Sequence, residues 1–155
     1  MRNVYHALDA IKTYLEAHSQ ISMVTYGDLF QIDLKKQSIF PLAHIYFENA
    51  SIPAQVVQFQ VGIVFMDIVD ETKQDVRDQN EPFYGVDNVM DIHNTMLAVA
   101  NGLVQQVRKG NLWSDGFELE GDPVLQPFQD RFENLLAGWT MTLTINTENN
   151  EISIC

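Results

Sequence analysis

Four histidines, one cysteine and a scatter of carboxylates are the residues of this 155-residue chain with the most obvious capacity for chemistry. His6, His18, His44 and His93 are dispersed. Asp91 and His93 stand two apart, so on a helix they do not share a face, and no ligand spacing suits a metal. His44 and His93 read as partly buried, hydrogen-bonded side chains. Cys155 would need a nearby base and a shaped pocket to act as a nucleophile; at the last position it reads as a small residue of an edge strand. Asp67, Asp70 and Glu71 match no calcium loop and read as a solvated strand end. Ser114 and Ser153 lack the context of a nucleophile elbow, and Gly110–Gly121 lacks phosphate-loop spacing. Trp113 and Trp139 read as core or interface, because base stacking needs a basic groove that this sequence does not supply. The residues therefore assign no catalytic group, no metal ligand and no cofactor.

Bulk properties narrow the classes further. The chain carries 9 basic and 21 acidic residues, a net charge of −12, and its pI is near 4.4. Gripping nucleic acid by neutralising phosphates needs Lys and Arg, and the only adjacent basic pairs are Lys35–Lys36 and Arg108–Lys109. An acidic surface keeps a protein soluble, docks basic partners, or lines a passage to which DNA does not stick. A single cysteine permits no intrachain disulfide. Neither a basic-then-apolar leader pattern nor an apolar run of about 18 residues is present. The expectation is a soluble protein of a reducing compartment, with one domain and a core of ordinary size.

The elements that would position these residues follow from periodicity. Asn3–His18 reads as a helix, with Val4, Leu8, Ile11 and Leu15 on one stripe, Asn3 as N-cap, and Asp9 and Lys12 spaced for an i,i+3 pair. Ile21–Thr25 and Leu29–Leu34 read as short strands. Gln55–Val69 alternates over its length and turns apolar on both faces near Ile63–Met66, so it belongs at the centre of a sheet. Gly62 within it suggests a bulge or the close approach of another backbone. Asp87–Lys109 reads as a long helix capped by Asp87 and closed by Arg108, Lys109 and Gly110. Leu112–Gln129 reads as irregular apart from a short strand at Phe117–Leu119. Trp139–Asn146 alternates as a half-exposed strand, and Glu151–Cys155 reads as its hairpin partner. This order predicts an α+β fold, a mostly antiparallel sheet with two helices packed on one face. Asp70–Pro82 holds five acidic residues against Lys73 and Arg77 and little to bury, which predicts a mobile loop or one ordered by a partner.

The stretch Asp33–His44 begins polar, turns apolar at Ile39, and has Pro41 where a strand should start. Pro has no N–H, so it suits a strand's first residues or an edge, and Leu42–Phe47 reads as an edge strand. Together with Val24-Thr-Tyr-Gly-Asp-Leu29, Met66-Asp-Ile-Val-Asp70, Glu120-Gly-Asp-Pro123 and Pro127-Phe-Gln-Asp-Arg-Phe-Glu-Asn-Leu-Leu-Ala-Gly-Trp139, this stretch resembles a family of small structural proteins of tailed bacteriophages, in particular phages of Bacteroidetes hosts. The element order is similar to that of tail terminators and neck rings. The resemblance implies a homo-oligomeric ring in the virion, hexameric or dodecameric, assembled in the host cytoplasm. Such a ring joins head to tail and meets portal-adaptor or tail-tube proteins, and DNA passes through it without specific binding. Ring interfaces are head-to-tail, so each subunit needs two different complementary patches. The candidate contacts are Phe40 and Pro41 at the edge strand, Asp70, Glu71, Asp75, Val76, Arg77 and Asp78 in the loop, and Trp139.

Two other classes fit parts of the same sequence. An acidic binding module, such as an immunity or inhibitor protein, would mask a basic partner by charge complementarity. A small enzyme would need a perturbed histidine or carboxylate in a deep cavity between sheet and helices.

Overall fold

Alternation on three long strands builds the frame. In the computed structural model, which describes residues 4–27, 40–69, 89–109, 117–131 and 136–148, helix α1 spans Val4–Ala17, followed by strands β1 (Met23–Tyr26), β2 (Leu42–Ser51) and β3 (Val56–Ile68). Helix α2 (Val89–Lys109) and strands β4 (Glu118–Leu119), β5 (Val124–Arg131) and β6 (Leu136–Glu148) complete the described chain. The sheet runs β1-β2-β3-β6, and β4 and β5 both pair with β6. β1 lies parallel to β2, and the other pairings are antiparallel. β4 meets Ile145–Asn146 and β5 meets Leu136–Thr142 on the side of β6 away from β3, so the two act as one outer strand broken at Glu120–Pro123. The fold is α+β, as the sequence predicts.

β3 lies between β2 and β6 and pairs along its whole length with β6, from Val56↔Glu148 to Ile68↔Leu136. Its odd-numbered residues Val57, Phe59, Val61, Ile63 and Phe65 join Met141, Leu143 and Ile145 of β6 and the buried stripes of both helices in one core. Those stripes are Ala7, Ile11 and Leu15 on α1 and seven residues from Ile92 to Val107 on α2. Both helices thus cover the same sheet face. They meet where the Tyr14 hydroxyl lies over Gly102, 2.5 Å from where a Cβ would stand. The other face carries a smaller apolar cluster of Phe40, Leu42, Val64, Met66, Phe128 and Leu136. This explains why Ile63–Met66 is apolar on both sides.

Three expectations change. Leu42–Phe47 is not an edge strand over its first half: β1 pairs with Leu42–Ile45, and β2 continues to Ser51. Pro41 precedes the strand, and its carbonyl accepts from Ser22 N–H at 2.8 Å; the Phe40–Pro41 peptide is cis. Val124–Arg131, read as part of an irregular stretch, is a strand. Its Pro127 is tolerated because an outer strand has an unpaired side on which a missing N–H costs no ladder bond. At Gly62 the close neighbour is a side chain, the Tyr46 ring, and the register shift lies on β2 between Phe47 and Asn49. The expected strands Leu29–Leu34 and Glu151–Cys155, the caps Asn3, Asp87 and Gly110, and the loop Asp70–Pro82 lie outside the described residues. Among the described residues no helix is long and apolar enough to cross a membrane.

Candidate interaction surfaces

A groove runs between α1 and β1. Tyr5, Leu8, Asp9 and Lys12 stand at i, i+3, i+4 and i+7 and so share one helix face. With Val24, Thr25 and Tyr26 of β1 and Ile45 of β2 they line a cavity of about 320 Å³. Leu8, Val24 and Ile45 belong to the main core and give the groove an apolar floor. Tyr5 and Tyr26, 78% and 58% exposed, form its rim. The expected Asp9–Lys12 pair does not form: Lys12 Nζ lies 3.7 Å from Glu16 Oε1. Asp9 has no ion pair or hydrogen bond among the described residues. Among the described strands β1 is the outermost on this side of the sheet.

The sheet face away from the helices carries two polar constellations. In the first, the Tyr46 ring lies across Gly62, and its hydroxyl donates to Glu48 Oε1 at 3.3 Å. Thr142 Oγ1 donates to the same oxygen at 3.3 Å, so the contact bridges β2 and β6 over the glycine of β3. Burial, then the Glu48 charge and hydrogen bond, push the Tyr46 phenol above its ordinary pKa. In the second, Gln58 and Asn146 face each other in register. Gln58 Nε2 donates to Asn146 Oδ1 at 3.1 Å and to Glu120 Oε2, and Asn146 Nδ2 donates to Glu120 Oε2 at 2.7 Å. Two amides thus hold the carboxylate that opens the β4–β5 break.

The two inner histidines tie elements together. His44, 1% exposed, has Nε2 2.8 Å from the Gly27 carbonyl and Nδ1 2.8 Å from Thr25 Oγ1. A carbonyl only accepts, so Nε2 carries a proton and donates to Gly27, while Nδ1 shares a hydrogen bond with the Thr25 hydroxyl. That fastens the end of β1 to β2. His93 Nε2 likewise donates to the Phe128 carbonyl at 3.1 Å, and Trp139 Nε1 donates to the His93 carbonyl at 2.8 Å, docking α2 on the sheet. Both histidines are hydrogen-bonded, in keeping with the sequence reading. Among the described residues no group of three or more His, Cys, Asp or Glu is placed to hold a metal.

Of the sequence-predicted contacts, Phe40 is buried in the smaller apolar cluster and Pro41 is half-buried beside it. Trp139 is half-buried against the core, with its indole N–H engaged by α2. Asp70, Glu71, Asp75, Val76, Arg77 and Asp78 lie outside the described residues. Sequence reasoning missed the groove, although the spacing of Tyr5, Leu8, Asp9 and Lys12 was visible. Pairing that stripe with β1 required the fold. It also missed Tyr46, Glu48 and Thr142, which only register brings together. No protein-family model matches this chain, and no curated protein matches it significantly in sequence.

Proposed function

We propose that this chain is a structural subunit of a ring in the neck or tail of a tailed bacteriophage, joining head to tail around the DNA channel. The observation that carries the reading is the unlikeness of the two outermost strands among the described residues. One is β1, short and parallel to its neighbour, with Met23 and Tyr26 exposed. The other is the broken β4–β5 strand, antiparallel to β6, with Val124 63% exposed and Asp122 paired to Arg108 at 3.1 Å. A closed ring of identical chains uses two different patches per subunit, and strand edges suit that use. The net charge of −12 suits a lumen that releases DNA. The phage assignment itself rests on the sequence resemblance.

The same charge favours a second reading, an acidic module that masks one basic partner. Light scattering across concentration with negative-stain imaging, and a search for the protein in purified particles, separate the two. Closed rings, or a fixed number of copies per virion, support the neck reading. A chain that stays monomeric, is absent from particles and forms a stoichiometric complex with one basic protein overturns it.

A further inference from the structure

We infer that the outer face of α2 is a contact between copies of this chain, two of which pack α2 against α2, antiparallel, about a two-fold axis. The contact lies on the helix side of the sheet and leaves the two outermost described strands to the ring, so it neither needs that reading nor competes with it. What carries it is where α2 places its charges. Asp91 stands in the first turn and Arg108 and Lys109 in the last. Between Asp91 and Arg108 the sequence holds no Asp, Glu, Lys or Arg, although a surface helix ordinarily shows charged residues to solvent. Asp91, Asn94, Ala98, Asn101, Gln105 and Lys109 are all exposed, and at steps of three or four they form one stripe along the helix. Met90 and Leu97, 47% and 41% exposed, flank it. The core of a protein interface is likewise depleted in charge and enriched in Met.

Charge commits this face to a second copy. α2 has 21 residues, about 31 Å of helix, acidic at one end, basic at the other and neutral between. Its complement is the same helix reversed. With the two-fold axis level with Val99 and Ala100, Asn94 of each copy lies opposite Gln105 of the other, Ala98 opposite Asn101, and Asp91 beside Lys109. Amides both donate and accept, so an Asn–Gln pair satisfies itself. Ala98 lets the two helices come close, and an Asp91–Lys109 pair joins unlike charges at each end. A parallel pair would instead set Asp91 against Asp91 and Lys109 against Lys109. A basic partner, attracted elsewhere by the net charge of −12, gains nothing from the neutral length of this stripe.

The test is sedimentation equilibrium of the full-length protein. So short a contact falls below the roughly 20–30 residues a side of a standard interface, so half-association is expected between about 10 µM and 1 mM. Ala98→Glu, an exposed change whose fold is checked by circular dichroism, weakens association about tenfold or more. Asp91→Lys and Lys109→Glu each weaken it, and the two together restore it, because the exchange returns unlike charges to both ends. Register is read by oxidation in a Cys155→Ser background: Asn94→Cys chains cross-link to Gln105→Cys chains and not to one another. A chain that stays monomeric to about 1 mM overturns the inference, whatever else binds α2. So does association indifferent to Ala98→Glu, a charge exchange that fails to restore it, or cross-linking of Asn94→Cys chains among themselves. Dimers without rings support the inference and leave the ring reading to its own test.

Discussion

Replacing Gly62 tests whether the Tyr46 ring lies where the sheet geometry puts it. A Cβ on residue 62 would stand 2.1 Å from Tyr46 Cζ and 2.5 Å from both Cε2 and the hydroxyl. Backbone is not what it meets, so the ladder can stay and the ring must leave. Leaving breaks the hydrogen bond to Glu48 and the stacking on His44, whose ring centroid lies 6.4 Å away. The bond is worth about 0.5–1 kcal/mol at this exposure, and the ring contact about 0.5–1.5 kcal/mol. Against that, alanine loses less entropy than glycine in a strand, a gain of about 0.5–1 kcal/mol. Gly62→Ala should therefore destabilise by about 1 kcal/mol in urea unfolding. With Tyr46→Ala already present, the same change should become neutral or stabilising by about 0.5 kcal/mol. The cycle reads a coupling of about 1.5 kcal/mol, within the range for residues in contact. An equal cost in both backgrounds would refute the placement of the ring.

Other perturbations discriminate between parts of the fold. Gly138→Ala should be far worse than Gly62→Ala, by about 3 kcal/mol or loss of folding, because its Cβ would stand 1.8 Å from the Phe65 carbonyl oxygen, backbone of the central ladder; urea midpoints of the two variants give the comparison. Trp139→Phe should cost about 1 kcal/mol in urea unfolding through loss of the indole bond to the His93 carbonyl. Tyr46 makes stability fall in alkali. Its phenol pKa is raised from 10.0 in the folded chain, so the folded state holds the proton longer than the unfolded one. The stabilisation is complete below pH 10.0 and is lost as pH rises through the raised value. Urea midpoints above pH 10.0 should fall less steeply for Tyr46→Phe than for the parent chain. Arg108 and Asp122 make a control: their pair is 39% and 97% exposed, and Asp122→Asn should move stability by less than about 0.5 kcal/mol.

The sequence by itself determined the elements whose pattern is local and strong. Val4, Leu8, Ile11 and Leu15 repeat at the helical period, and the helix Val4–Ala17 falls within one residue of its reading at each end. The alternation of Val57 to Phe65, apolar on both sides near Ile63, dictates a central strand, because only a strand covered on both faces buries both sets. His44 and His93 were legible as hydrogen-bonded side chains, and the structure supplies their partners. Tertiary structure decided what depends on neighbours distant in sequence. β5 was hidden because Pro127 and the surrounding glycines and prolines argue against a strand; its place on the outer edge of β6 removes that objection. The edge reading of Leu42–Phe47 failed because β1 supplies a parallel neighbour, and a parallel pair needs a crossover that local pattern does not announce. The groove arises in the same way: its helix stripe and its strand are each ordinary, and only packing α1 beside β1 makes a surface of the two.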